Sequence, residues 1–215
     1  MIKDELLKTI GEKYPLKPVD TGEFESLKAN GMQFTIEAYE AEGLGHVSYM
    51  QAKGFFGLMK MDTLIIHPKE VDLPLLSYDR ILAAGNDTFI CELYDTCVRT
   101  FPSEKVDQVV TAASALPERD PGIHWYDHLR MKQSLSKKGK KAQSPSFDFL
   151  IRDYLAAWLK TETLPLTDRE TKEKKTSIYV EGLLSNGGPS TDVFLKAFGR
   201  DKTEKLFRKI LFGTE

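Results

Sequence analysis

Cysteine is nearly missing from this chain of 215 residues, which has only Cys91 and Cys97. Two cysteines cannot build a disulfide framework, and without a CxxC pair they do not form a common zinc site. Cys91 stands within an apolar run, so a reduced, buried thiol is its expected state. Long apolar runs are missing too: nothing approaches the roughly 20 residues that a helical membrane span requires. The opening Met1-Ile-Lys-Asp-Glu is too charged for a secretory signal. A cytoplasmic protein is expected, with no membrane as partner. Charge of one sign is also lacking, with 30 basic against 32 acidic residues and a net charge of −2. A dedicated nucleic-acid binder needs a basic excess to neutralise phosphates, so none is expected here. There is no Walker loop, no GxGxxG opening a helix and no GxSxG elbow, which removes the usual signatures of nucleotide binding and serine hydrolysis.

What is present is ordinary globular chemistry, 41% hydrophobic and 29% charged. A single domain over residues 1–215 is expected, long enough to bury a core without staples. Residues 3–13 read as a short amphipathic helix that ends near Pro15. From Met32 the period changes to two: Met32, Phe34, Ile36 and Ala38 alternate with Gln33, Thr35, Glu37 and Tyr39, the pattern of a half-buried strand. Gly43 and Gly45 mark a turn before a second strand, His46–Ala52. A third, Met59–His67, stops at Pro68, because proline cannot donate to a ladder. Ser77–Ala84 and Thr88–Asp95 follow, joined by the turn residues Gly85-Asn-Asp.

Five strands in series with short connections predict an antiparallel meander. After Phe101 the period is helical. Ser144-Pro145 opens a helix whose stripe is Phe147, Leu150, Ile151, Tyr154, Leu155 and Trp158. Thr167-x-x-Glu170 reads as a capping box, Gly199 as a left-handed cap, and Leu206, Phe207, Ile210 and Leu211 as the buried face of a last helix. Strands first and helices afterwards is the α+β signature.

Three groups of residues stand out chemically. His124 and His128 are four apart, the spacing of helical zinc ligands, but a metal needs a third ligand and packing or surface histidines are the commoner case. No metal is expected. Lys137-Lys-Gly-Lys-Lys141 reads as a basic loop, either simply solvated or a docking patch for an acidic partner. Asp79 adjoins an apolar run, where a carboxylate must be paired or protonated. It is either a proton donor with a raised pKa or a turn aspartate capping backbone amides.

Two segments resemble the ferredoxin-dependent bilin reductases and the related red chlorophyll catabolite reductases. The first is Asp62-Thr-Leu-Ile-Ile-His-Pro-Lys-Glu-Val-Asp-Leu-Pro-Leu-Leu-Ser-Tyr-Asp79, in which Pro68, Pro74 and Asp79 occupy the family's positions, followed by Glu92-Leu-Tyr-Asp. The second is Asn186-Gly-Gly-Pro through Gly199, followed by Lys205–Gly213 with its Leu211-Phe212 ending. The resemblance implies an α/β/α sandwich with a central antiparallel sheet. It implies an open-chain tetrapyrrole between that sheet and the C-terminal helices, electrons from ferredoxin and no bound cofactor. Asp79 would donate a proton, and Asn186 would lie beside the substrate.

The chain departs from the pattern where Thr63 replaces a histidine, and where Gly187 and Gly188 replace an acidic and a basic residue. Thr63 thus falls at a substrate position, and His67, an even four residues on, is expected on the same side of the strand. A bilin-reductase-like oxidoreductase is the leading expectation. A carrier of the same fold without catalysis is the alternative, and an interaction protein with an unused pocket is a third.

Overall fold

The computed structural model describes residues 2–163 and 166–215. Eight strands form one sheet: β1 (Leu16–Val19), β2 (Ser26–Ala29), β3 (Met32–Ala41), β4 (Gly45–Gly54), β5 (Met59–Pro68), β6 (Leu75–Ala83), β7 (Asn86–Tyr94) and β8 (Leu135–Lys140). Every pairing is antiparallel, and the order is β1-β3-β4-β5-β6-β7-β8, with β2 on the other half of β3. The centre is the expected meander of hairpins. Between β6 and β7 a two-residue loop suffices, because Ala84 and Gly85 both take positive φ, 49° and 74°. That geometry matches the twist of the strands it joins.

Helices cover both faces. On one side lie α1 (Lys3–Gly11), α2 (Glu104–Ala112) and α3 (Ser144–Leu159). Their apolar stripes meet Val47, Tyr49, Leu64, Tyr78, Phe89 and Cys91 from the sheet in a closed core around Trp158. On the other side lie α4 (Arg169–Asn186), α5 (Pro189–Phe198) and α6 (Arg200–Lys205), which runs on into a π-helical turn, Leu206–Leu211. This is the expected α+β fold, an α/β/α sandwich. A strand's side chains alternate between faces, so each central strand serves both layers.

Several elements differ from the sequence reading. Strands β1, β2 and β8 are short or polar and carry too little alternation to announce themselves. The basic segment 137–141 is no loop: its first four residues belong to edge strand β8. Lys137 is buried and paired with Glu118, while Lys138, Lys140 and Lys141 face solvent. Charge along an edge discourages pairing with other chains. The cap of α4 is Asp168, one residue after Thr167, with its Oδ1 accepting from the Thr171 amide at 2.9 Å. Gly199 has the expected positive φ but an extended ψ of 177°, so the chain leaves α5 straight into α6. Both cysteines are free thiols and buried.

Candidate functional site

A cavity of about 280 Å³ lies between the sheet and the α4–α6 layer. Its floor is read off the register of the central strands. Thr63 of β5 is the direct partner of Asp79 of β6, and Asp79 in turn is opposite Ile90 of β7. Met50, Ile65, Ser77 and Ile81 extend this floor, with Glu92 and Tyr94 at one side. Apolar side chains dominate, so each polar group is costly unless it is satisfied or used.

Asp79 is the centre of the arrangement. Its Oδ1 accepts the Thr63 hydroxyl at 2.5 Å. Burial pushes its carboxyl up to about 6; the Thr63 hydrogen bond pulls the other way, and the charge of Glu92 adds to the rise. No cation is paired with it among the described residues. An acid so placed can take and give a proton near neutral pH. The neighbouring Glu92 is engaged, accepting from the Tyr94 hydroxyl at 2.6 Å and facing Arg130 at 3.2 Å.

The roof is aromatic. Tyr179 of α4 stacks on Tyr94 at 4.0 Å, and Tyr126 meets Tyr94 edge-on at 5.6 Å. Burial raises the phenols of Tyr94 and Tyr179 well above their usual value and that of Tyr126 to about 12, so all three stay protonated donors. Trp125 lies behind Tyr126, its indole N–H donating to the Gly187 carbonyl at 3.0 Å. Gly182 makes room for it: a Cβ there would stand 2.1 Å from the indole ring. Helix α4 is fixed by Lys172, whose buried ammonium donates to the carbonyls of Leu73 at 2.6 Å and Thr96 at 3.3 Å.

The third wall is the π-helical turn. Its wider winding, with the Phe212 amide bonded to the Phe207 carbonyl at 2.9 Å, lets Phe207, Leu211 and Phe212 all reach the cavity. Three side chains of the sheet hold that turn in place. His46 Nε2 donates to Ile210 O at 2.8 Å, Ser48 Oγ to Leu211 O at 2.7 Å, and His67 Nδ1 to Phe212 O at 2.7 Å. Carbonyls at a helix end have no partner within the helix, and this clamp supplies them.

The structure brings Thr63 and Asp79 together in the cavity. It does not bring the other two expected residues there. His67 faces the same side as Thr63, but Phe212 covers it and it is only 2% exposed. Burial keeps its imidazole neutral, down to about 4, and it serves the wall of the cavity from behind. Asn186 is exposed at the end of α4, outside the lining; Gly188, Ser190 and Thr191 reach the cavity instead.

His124 and His128 lie in a turn, not a helix, and so do not share a face. His124 lines the cavity, stacked on Tyr126 at 4.8 Å, whereas His128 is exposed with its Nδ1 on the Trp125 carbonyl at 3.0 Å. No cluster of three metal-ligating side chains exists among the described residues. Arg119 completes the lining as its one cationic side chain apart from histidine, donating to Ser136 Oγ at 3.0 Å. Nothing in the polar run Glu118-Arg-Asp announced it. The aromatic cluster His124-Trp-Tyr, set in an otherwise polar segment, was the signal available for the roof.

No protein-family model matches this chain, and no curated protein matches it in sequence. Among solved structures, it is similar to the crystal structure of phytochromobilin synthase from tomato in complex with biliverdin. The TM-score is 0.79 at 14% identity, covering 100% of this chain and 83% of that one. The likeness is one of fold: the eight-stranded antiparallel sheet between helical layers is shared across the whole chain.

Proposed function

We propose that this protein binds an open-chain tetrapyrrole, or a similarly flat conjugated ligand, between the sheet and the α4–α6 layer, and reduces it with electrons from ferredoxin. The observation that carries this reading is Asp79, an unpaired acid poised near neutrality on the floor of an apolar, aromatic-walled cavity. The tomato neighbour, which holds biliverdin on the same fold, supports the ligand class. Tyrosine faces suit a planar π-system, and Arg119 suits a ligand carboxylate.

Reduction of one double bond takes two electrons and two protons. Reduced ferredoxin supplies the electrons one at a time and is itself oxidised, with no bound cofactor between. Asp79 gives one proton to the ligand and the second comes from water at the cavity mouth. The Thr63 hydroxyl steadies the carboxylate left behind. The cavity, at about 280 Å³, falls just below the usual range for ligand pockets, about 300–1,000 Å³. A four-ring ligand therefore displaces part of the wall on entry.

A carrier without catalysis is the second reading. Thr63 favours it, because a hydroxyl committed to Asp79 offers no acidic proton of its own. Anaerobic titration with biliverdin, followed in the visible spectrum, separates the cases. A shifted spectrum that bleaches or moves blue on adding reduced ferredoxin establishes reduction, and Asp79→Asn should then keep the shift and lose the turnover. A shift without turnover leaves the carrier, and no shift removes the tetrapyrrole.

A further inference from the structure

The turn between β4 and β5 runs against ordinary chain preferences. Phe55 and Phe56 both take positive φ, 51° and 56°, a region that bulky residues rarely enter. Phe56 is wholly exposed, and Phe55 and Leu58 are 56% and 76% exposed. Three large apolar side chains thus stand together in water on a backbone that is strained to present them. Such outliers cluster at functional sites, and exposed apolar patches mark interaction surfaces.

The surroundings are basic. Lys53 and Lys60 are direct partners across β4 and β5, a like-charge pair that weakens a ladder. Lys28 is opposite Gln33, which is itself opposite Lys53. On the far flank Lys140 is opposite Asn86, at the β6–β7 turn, with Lys138 and Lys141 beside it. A groove on each side of the tip joins the two chemistries: Lys28 and Lys53 with Phe55 and Phe56 on one side, Lys60 and Lys141 with Phe55 and Leu58 on the other. Neither groove contains an acidic residue. All six lysines are exposed, and none forms an ion pair among the described residues.

We propose that this tip attaches the protein peripherally to an anionic phospholipid surface. Phe55, Phe56 and Leu58 enter the boundary between headgroups and acyl chains, and the lysines meet the phosphates around them. The shape selects lipid over an acidic protein. The apolar residues crown a convex turn, which penetrates a soft phase but offers a rigid partner no core to pack. Lysine is also the fitting cation, a mobile point charge that follows diffuse negative charge without demanding a fixed fork of acceptors. The whole chain carries −2, so the attraction is local to this end of the sheet. The lack of a long apolar run speaks only against a helical span and does not bear on a surface anchor. The proposal goes beyond the expectation of no membrane partner, and it stands independently of the ligand proposed for the cavity.

Co-sedimentation of the full chain tests the proposal, with vesicles of phosphatidylcholine alone or mixed equally with phosphatidylglycerol. Binding to the mixed vesicles at low salt and release by added sodium chloride are expected. Phe56→Ser, and separately the Lys53→Glu/Lys60→Glu double variant, should each weaken that binding roughly tenfold. Phe56→Ser should unfold at the wild-type temperature, which separates lost docking from lost fold. Failure of the wild type to bind mixed vesicles at low salt overturns the proposal. So does undiminished binding by Phe56→Ser. A dimer in sedimentation velocity that Phe56→Ser dissolves would instead assign the tip to a second copy of the chain.

Discussion

The two faces of the sheet are made by alternate residues of the same strands, yet neighbouring residues of β6 treat buried charge in opposite ways. On the α1–α3 side, Arg80 is 3% exposed and is held by both carboxylate oxygens of Asp87, with Asp148 at 3.2 Å and Ser144 adding a hydroxyl to Asp87. One residue earlier, on the other face, Asp79 has a single hydroxyl for company. The first arrangement is an ion-pair network in which Arg80, Asp87 and Asp148 are partnered with one another. The second leaves a proton-binding group facing the cavity. Under the proposed function, structural and chemical duties are separated by one step along β6.

The contrast can be broken most severely on the closed side. Arg80→Ala strands the Asp87 carboxylate, which is 0% exposed, and should cost about 3–5 kcal/mol in urea unfolding. On the open side the sign reverses. The folded pKa of Asp79 is raised to about 6 from 3.8, so the native state holds the proton more tightly than the unfolded chain. Stability is therefore lost as pH rises from about 4 to about 6, by up to ~3 kcal/mol. Asp79→Asn should recover that loss above pH ~6 and show no gain below pH ~4 in thermal or urea unfolding followed across the range.

His67 should produce the mirror slope. Its pKa is depressed to about 4 from 6.5, so the unfolded chain takes the proton first and stability is lost as pH falls through that window. A His67→Gln variant should flatten the acid limb, measured against wild type in the same series. Arg119→Gln should weaken biliverdin binding about tenfold while leaving the unfolding midpoint in place, because it lines the cavity without supporting the core. The smallest effect belongs to Phe56→Ser, below about 0.5 kcal/mol in stability, since that side chain is fully exposed.

Much of this architecture could be read before the structure. The meander from Met32 to Tyr94 follows from alternation and turn residues, because the strands lie at the centre of the sheet and are buried on at least one face. The helix stripe around Trp158 follows from its period. The edge strands β1, β2 and β8 did not show, because solvent on one side relaxes the pattern. Lys137 is the clearest case: a lysine reads as exposed, and only the fold reveals Glu118 beside it.

At the candidate site, the pairing of Thr63 with Asp79 required the register, which sequence spacing alone does not fix. Strand parity puts His67 on the correct face but does not reveal its bond to Phe212, since that contact spans 145 residues. Asn186 missed the cavity by a few residues because α4 ends just where the chain turns inward at Gly188.

The chain has two tryptophans, and the sheet divides them. Trp158 is sealed in the closed core, while Trp125 braces the roof, edge-on to Tyr126 at 5.3 Å. Each layer thus carries its own intrinsic fluorophore. A coloured ligand entering the cavity lies nearer Trp125 and should quench it more strongly than Trp158. A Trp158→Phe variant would leave a single emitter, and the protein would report occupancy of its own cavity without any label.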